Sequence, residues 1–216
     1  MSNEELKQSV SEELAWDPKV DEDRIAVYAD EGVVTLRGTV GSLRQKLDAK
    51  QDAERVHGVK HVTNELEVQV MNDERRDNAD LRGDILQALS LNHLVPPTID
   101  AAVHEGFVTL TGTANWQYER EEAETVASNV VGVISVTDEV RLVAPGPTAH
   151  DVQHSIKKAM ERNAKLDADS VSVETENGTV TLRGTVTSWA DHDRAVDAAW
   201  AAPGVTRVKD HILVAY

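Results

Sequence analysis

The chain has 216 residues and no cysteine, which excludes disulfides, thiolate catalysis and cysteine-ligated zinc. Its 22 basic and 38 acidic residues give a net charge of −16, and this charge opposes binding to nucleic-acid phosphates. By region the net charge is −6 over residues 1–76, −8 over residues 77–146 and −2 over residues 147–216. We therefore predict no nucleic-acid partner, and the last third is the part that phosphate repels least.

The amino-terminal sequence MSNEELKQSV lacks the basic and then apolar regions of a secretory signal. No later stretch approaches the roughly 18 to 20 apolar residues that are needed to span a bilayer. Because the sequence has no cysteine, we also expect no lipoprotein anchor. We expect a cytoplasmic protein with no transmembrane segment.

The sequence repeats itself three times. The segments GVVTLRGTV, GFVTLTGTA and GTVTLRGTV begin at Gly32, Gly106 and Gly178, which lie 74 and then 72 residues apart. A second segment follows each first glycine after 26 residues; the three are GVKHVTNELEV, GVISVTDEVRL and GVTRVKDHILV. Repeats of this length indicate small tandem domains rather than a short-repeat solenoid.

Each copy predicts a helix, two strands, a second helix and a third strand. Apolar residues at every fourth position predict the first helix, with Leu6, Val10 and Leu14 as its buried face in the first copy. Alternating apolar residues predict the strands. The second helices are predicted to begin at three N-cap candidates: Ser42, Asn115 and Ser188.

The predicted fold class is α+β, with three tandem α-β-β-α-β two-layer modules. Each module is expected to form a three-stranded mixed sheet with two helices on one face. The predicted boundaries are residues 1–72 for module 1, residues 77–144 for module 2 and residues 148–216 for module 3.

Nine glycines recur at three places in the module, and we predict that all nine are structural. The first set supplies the positive φ of a tight hairpin: Gly32, Gly106 and Gly178. The second set is expected to let a helix backbone approach the second strand: Gly38, Gly112 and Gly184. The third set is expected to end the second helix as a left-handed C-cap: Gly58, Gly132 and Gly204.

The motif G-x-V-T-L-x-G-T, followed by G-V-x-x-V-x-[ND]-x-[ILV], resembles the BON domain, which is named for bacterial osmotically inducible and nodulation proteins. The resemblance covers nearly the whole chain, three times. It implies a non-catalytic module that is associated with osmotic and envelope stress and with phospholipid or membrane binding. Some members of the family are also associated with potassium sensing, and the resemblance extends this expectation to the present chain.

Nothing in the sequence predicts an enzyme or a cofactor. Modules of this size have little interior in which to form a catalytic pocket. His150 and His154 have the i, i+4 spacing of two zinc ligands on a helix, but no third ligand is evident. We therefore predict no catalytic residues and no zinc site.

Three polar residues occupy equivalent positions in the third strands, in phase with core residues. They are Asn64, Asp138 and Asp210. A buried polar group without a hydrogen bond costs about 1–3 kcal/mol. Two interpretations remain open: these side chains tie down a neighbouring turn, or their oxygens help to coordinate a hard cation such as K⁺ or Ca²⁺.

Two groups of residues are candidates for ligand binding. Trp116 and Trp189 lie at the start of the second helices. They either pack over the helix start or against the next module, or they form an exposed contact surface for lipid or peptide. Lys157, Lys158 and Arg162 form a basic cluster in module 3, where a lipid is expected to bind despite the acidic chain.

The sequence thus predicts a multivalent binding protein in osmotic or envelope stress, whose partner is phospholipid or another protein. Two alternatives are a cation-responsive protein, for K⁺ or Ca²⁺, and a structural spacer. The sequence does not determine the oligomeric state.

Overall fold

The structure, a computed structural model, describes residues 2–70, 77–143, 152–162 and 170–215. The chain divides into two compact units, one of residues 1–112 and 120–140 and one of residues 113–119 and 141–216. The first unit holds module 1 and most of module 2. The second unit holds module 3 and two short segments of module 2.

Module 1 has the predicted order of elements. These are α1 (Asn3–Trp16), a 3₁₀ turn (Glu22–Arg24), β1 (Ile25–Asp30), β2 (Val33–Val40), α2 (Leu43–Arg55) and β3 (His61–Val68). The sheet order is β1-β2-β3, in which β2 is antiparallel to β1 and parallel to β3. Buried apolar residues of α1 and the fully buried Ala49 and Ala53 of α2 belong to one core with the sheet. The small alanine side chains allow α2 to pack closely.

Module 2 follows the same order with interrupted strands. Its elements are α3 (Asn78–Leu91), β4 (Asp100–His104), β5 (Phe107–Thr111), β6 (Thr113–Ala114), α4 (Gln117–Ser128), β7 (Ser135–Asp138) and β8 (Arg141–Leu142). One sheet has the order β4-β5-β7, and β6 pairs in parallel with β8 in a separate two-stranded sheet.

Module 3 repeats the topology of module 1. Its elements are α5 (Val152–Glu161), β9 (Val171–Glu176), β10 (Thr179–Val186), α6 (Trp189–Trp200) and β11 (Arg207–Val214). The central strand β10 is antiparallel to β9 and parallel to β11. The predicted α+β fold with mixed sheets is confirmed.

The hairpins and the turns after the second helices approach each other closely. In module 1, Glu31 and Gly32 both have positive φ, 49° and 90°, and the amide of Lys60 donates to the Gly32 carbonyl at 2.8 Å. A Cβ on Gly32 would come within 3.1 Å of the Gly58 carbonyl oxygen. The 26-residue spacing of the paired glycines therefore reflects a contact between two turns.

The role predicted for the third glycine set needs a correction. Gly58 lies three residues beyond the end of α2, and the amide of Val59 donates to the carbonyl of Val56. Gly58, with φ of 96°, is thus the third residue of a four-residue turn, where positive φ favours glycine. It is not the helix cap itself.

The role predicted for the second glycine set is wrong. Gly38 has a φ of 135°, and a Cβ there would overlap the backbone carbonyl of Arg24, just before β1. Gly112 and Gly184 meet the equivalent carbonyls of Thr98 and Ser170. The close approach comes from the chain that enters the neighbouring strand, not from a helix.

One predicted helix start also needs a correction. Ser42 and Ser188 cap α2 and α6, and each hydroxyl accepts a hydrogen bond from the backbone amide three residues later. Asn115 is not the corresponding residue, because α4 begins at Gln117. The Glu119 carboxylate accepts hydrogen bonds from the amides of Asn115 and Trp116, so a side chain inside the helix satisfies these donors.

Among the described residues, no helix is long and apolar enough to cross a membrane.

Candidate functional site

The three polar residues of the third strands each join a strand to the second helix of their module. Asn64 Nδ2 donates to the carbonyl of Lys46 at 2.7 Å. Arg120 donates to Asp138 Oδ2 through Nε at 2.8 Å and Nη2 at 2.5 Å. We call this contact the helix–strand tether, and its partners are 18 residues apart.

The tether of module 3 contains a histidine. His192 Nε2 lies 2.7 Å from Asp210 Oδ2, and His192 Nδ1 lies 3.0 Å from Asp193 Oδ1. The pKa of His192 is raised, chiefly by the hydrogen bond to Asp193, with Asp210 acting in the same direction against partial burial. The Trp189 ring lies edge-on to the imidazole, with 4.9 Å between ring centroids.

The same three residues also accept a hydrogen bond from the amide two positions later: Leu66, Val140 and Ile212. Their oxygens thus have protein partners. Across the described residues no group of three or more His, Asp or Glu side chains has a metal-binding arrangement. Their role as K⁺ or Ca²⁺ ligands stays a prediction, and His150 of the histidine pair lies outside the described residues.

The tryptophans chosen from the sequence are half-buried. Trp116 precedes α4 and Trp189 begins α6, and both have intermediate exposure. The Trp189 Nε1 is buried and makes no hydrogen bond with any residue that the structure describes. The role of these two tryptophans as a contact surface for lipid or peptide stays a prediction.

The basic cluster of module 3 lies on the exposed side of α5. Lys157, Lys158 and Arg162 are all exposed, whereas Val152, Ile156 and Met160 form the buried side of the helix. Lys157 also lines a shallow depression between α5 and β9, together with Gln153, His154, Ser172 and Glu174.

The two most exposed large apolar side chains in the described part of the chain lie at equivalent places. Trp16, the last residue of α1, is 85% exposed, and Leu91, the last residue of α3, is 78% exposed. Each follows the last buried residue of its helix, Leu14 or Leu89, by two positions. Arg162 has the corresponding place in module 3. We call residues 16–20 and 91–95 the first-helix tips.

Hydrogen bonds hold each tip in a defined turn. In module 1 the Asp17 carboxylate accepts from the amide of Lys19 at 2.9 Å, and the amide of Val20 donates to the Asp17 carbonyl at 3.0 Å. Asn92 makes the equivalent bonds with the amides of Leu94 and Val95 in module 2. Val20 and Val95 are buried, so each tip is anchored to its module.

A cluster of charges lies against the tip of module 1. Lys19 Nζ is 3.0 Å from Asp17 Oδ2 and 3.7 Å from Asp48 Oδ2. Asp48 is buried and accepts two hydrogen bonds from Arg44. The backbone amide of Lys19 lowers the pKa of Asp17, and the Asp17 carboxylate raises the pKa of Lys19.

Asp52 is the unusual member of this cluster. Only 2% of its surface is exposed, Oδ1 accepts from Arg55 Nη1 at 3.0 Å, and Oδ2 is buried without a hydrogen-bond partner among the described residues. Burial, reinforced by the negative charge of Asp17, raises the pKa of Asp52 to about 6. The carboxyl group therefore titrates far closer to neutrality than an ordinary aspartate.

The tip residues and the buried aspartates were not predicted from the sequence. Trp16 and Leu91 stand two positions beyond the apolar stripe, which places them off the buried helix face, and their recurrence in two copies was the available signal. When the three copies are aligned, Asp52 stands at the position of Val126 and Ala198. An acid where the other two copies have apolar residues was the available signal.

Comparison with known proteins agrees with the repeat. The sequence profile described as the BON domain matches residues 2–70, 77–144 and 148–216. The chain is 37% identical over 121 residues to "Osmotically-inducible protein Y" of Escherichia coli (strain K12), a match that covers 53% of this chain and 60% of that protein. It is 31% identical over 115 residues to "21 kDa hemolysin" of Actinobacillus pleuropneumoniae, which covers 51% of this chain and 59% of that protein.

The matched region thus spans about three fifths of the length of these two curated relatives. Among solved structures, CdsD, a structural protein of the type III secretion system of Chlamydia trachomatis, aligns over 98% of this chain and 92% of its own. The identity is 16% and the TM-score is 0.27. A likeness this loose carries no argument about fold or function.

Proposed function

Since this chain belongs to the BON domain family through all three of its modules, we propose that it is a non-catalytic protein that binds phospholipid surfaces. The contact residues are Trp16 and Leu91, at the tips of the first helices of modules 1 and 2. One observation carries the proposal: two modules present a nearly fully exposed, large apolar side chain at the same place.

Trp16 has the chemistry of a side chain for the membrane interface. Tryptophan is enriched where an apolar region meets water, because its ring is largely apolar and its N–H is polar. Lys19, three positions away in the same tip, has a side chain that is 61% exposed, so its ammonium can reach a lipid phosphate. The tip therefore combines an apolar group with a cation.

Leu91 makes a more apolar tip in module 2. Leu94 lies in the same turn and is 39% exposed, so two leucines point into solvent within four residues. Full burial of a leucine side chain stabilises by about 1.5–3 kcal/mol, which corresponds to a gain in affinity of roughly tenfold or more. A single such residue is common on protein surfaces, but its recurrence at one place in two modules favours a shared contact.

Module 3 contributes charge instead. Arg162 has the tip position just after α5, and its backbone amide donates to the carbonyl of Lys158, four residues earlier, at 3.1 Å. These cations offset the net charge of −16 locally and attract lipid phosphate. Modest contacts from several linked modules combine into stronger binding when they engage one surface together.

The relative named as osmotically inducible supports a place for this activity in osmotic stress. Binding to a bilayer whose packing changes with osmotic load suits a protein that attaches by shallow apolar contacts and detaches again. This association with osmotic stress is part of the proposal.

The test is cosedimentation of the full chain with large unilamellar vesicles of phosphatidylcholine, and with vesicles that also contain phosphatidylglycerol. Trp16→Ala and Leu91→Ala should each weaken vesicle binding about tenfold, and the double variant should lose measurable binding. Leu213→Ala is the matched control, because Leu213 is 67% exposed on β11 and belongs to no first-helix tip. It should bind like the unmodified chain.

No sedimentation of the unmodified chain with either vesicle would overturn the proposal and favour a protein partner or a spacer. Equal losses in Leu213→Ala and Leu91→Ala would also overturn it, since apolar exposure in general, and not the tips, would then govern binding.

A further inference from the structure

The fold of the module does not need an acid where Asp52 lies. The equivalent residues are Val126 in α4 and Ala198 in α6, both partly buried in helices of the same kind. In module 1 the position holds a carboxyl group with one oxygen that is buried and has no hydrogen-bond partner among the described residues. Such a group destabilises the module when it is ionised. An acid at this position is therefore expected to have a function other than stabilising the fold.

The charged groups that face Asp52 come from two elements. Asp17 and Lys19 belong to the tip after α1, and Asp48 and Arg55 belong to α2. Arg44 pairs with Asp48 at the edge of the same cluster. With every group ionised, three carboxylates balance three cations, so the cluster has a net charge of zero. Protonation of Asp52 changes that charge to +1.

A proton suits the buried oxygen better than a metal ion does. The side chains of Asp17 and Asp52 are within hydrogen-bond reach of each other, and this contact lowers the pKa of Asp17. A protonated Asp52 can therefore donate to the Asp17 carboxylate, which gives the buried carboxyl group a partner and removes the repulsion between the two acids. The Lys19 ammonium already lies between Asp17 and Asp48. No metal-binding group of acids is present in the ranges that the structure describes.

We propose that this cluster is a proton-operated control on the tip of module 1: in mildly acidic solution Asp52 takes up a proton, bonds to Asp17 and makes the tip more positive. Trp16 immediately precedes Asp17, so the added charge develops next to the apolar contact residue. An anionic phospholipid surface is then attracted more strongly. The effect on lipid rests on the proposed function, whereas proton uptake by Asp52 does not.

The first measurement follows the carboxyl carbon of Asp52 by NMR in the ¹³C-labelled full chain from pH 3.5 to pH 8, assigned with Asp52→Asn. The signal should titrate near pH 6, about two pH units above the ordinary aspartate value of about 3.9. Titration of Asp52 near pH 4 would overturn the proposal, whatever the lipid measurements give.

The second measurement is cosedimentation with vesicles that contain phosphatidylglycerol, at pH 5.5 and pH 7.5. Asp52→Asn keeps the side chain neutral, so at pH 7.5 it should bind about fivefold more tightly than the unmodified chain, the effect of one charge near a membrane surface. Asp23 is an exposed aspartate of the same module and is not among the charged groups that act on Asp52. Asp23→Asn makes the same change in net charge and should keep the pH dependence of the unmodified chain.

Asp52→Asn should lose the part of the pH dependence that is due to Asp52 and keep the rest of the pH dependence of the unmodified chain. If the unmodified chain binds vesicles but Asp52→Asn and Asp23→Asn have the same affinity and the same pH dependence, the proposed role of Asp52 is overturned and the proposed function stands. If the unmodified chain binds no vesicle at either pH, both are overturned.

Discussion

His192 Nε2 lies 2.7 Å from the Asp210 carboxylate, and this contact joins the second helix of module 3 to its last strand. Arg120 and Asp138 make the same connection in module 2, and the Lys46 carbonyl and Asn64 make it in module 1. The modules thus use three different chemistries for one tether. Only that of module 3 changes its charge state near neutral pH.

The histidine tether should make module 3 more stable in mild acid. The pKa of His192 is raised in the folded state, so the folded protein binds the proton more tightly than the unfolded chain does. The resulting stabilisation is fully present below the ordinary histidine pKa of about 6.5 and is lost as the pH rises through the folded value. Thermal unfolding of the His192→Arg variant, which copies Arg120, should lack this loss between pH 6 and pH 8. An unchanged pH profile would contradict the prediction.

Loss of the arginine tether should destabilise module 2. Arg120→Ala removes both hydrogen bonds from Arg120 to the half-buried Asp138 carboxylate, whereas the bond from the Val140 amide to Asp138 Oδ1 stays. Two charge-assisted bonds are lost, and we expect the free energy of unfolding to fall by about 1.5–3 kcal/mol in urea denaturation. Arg24→Ala, which removes an exposed ion pair with Asp21, should cost less than about 1 kcal/mol.

Replacement of Asp52 by the residue of module 2 should stabilise module 1 at neutral pH. Asp52→Val removes a buried oxygen without a partner, so the free energy of unfolding at pH 7.5 should rise by about 1 kcal/mol. In the unmodified chain the raised pKa of Asp52 means that stability falls as the pH rises from about 4 to about 6. Thermal unfolding should show this fall in the unmodified chain but not in Asp52→Val. A less stable variant at pH 7.5 would contradict the argument.

Two glycine-to-alanine changes should act in opposite directions. Gly38→Ala forces a side chain into positive φ and against the Arg24 carbonyl, so we expect a loss of about 2 kcal/mol or more. Gly83, exposed within α3, has no atom within 4 Å of an added Cβ, so Gly83→Ala should stabilise by about 0.5–1 kcal/mol. Denaturant unfolding of the two variants measures both effects.

Most of the fold could be predicted from the sequence because the physical constraints on it are local. The apolar stripe of α1, the alternation of Val34 and Leu36 in β2, and the serine cap at Ser42 each act over a few residues. The repeat shows such signals three times. The prediction for Gly38 was wrong because its contact is with a segment that is distant in the sequence. Gly38 lies against the chain just before β1, and not against the helix that was expected.

The candidate site was harder to predict for the same reason. Trp16 is apolar in the sequence, but whether it is covered depends on what packs around the end of α1. Asp52 appears as one more helix-surface acid until the fold places Asp17 and Lys19 beside it. The sequence by itself determined the repeat, the module topology and the absence of thiol chemistry, because these depend on composition and short-range periodicity. Only the tertiary structure decided which side chains stay exposed and which acids share a buried place, because burial and charge interaction depend on contacts between distant segments.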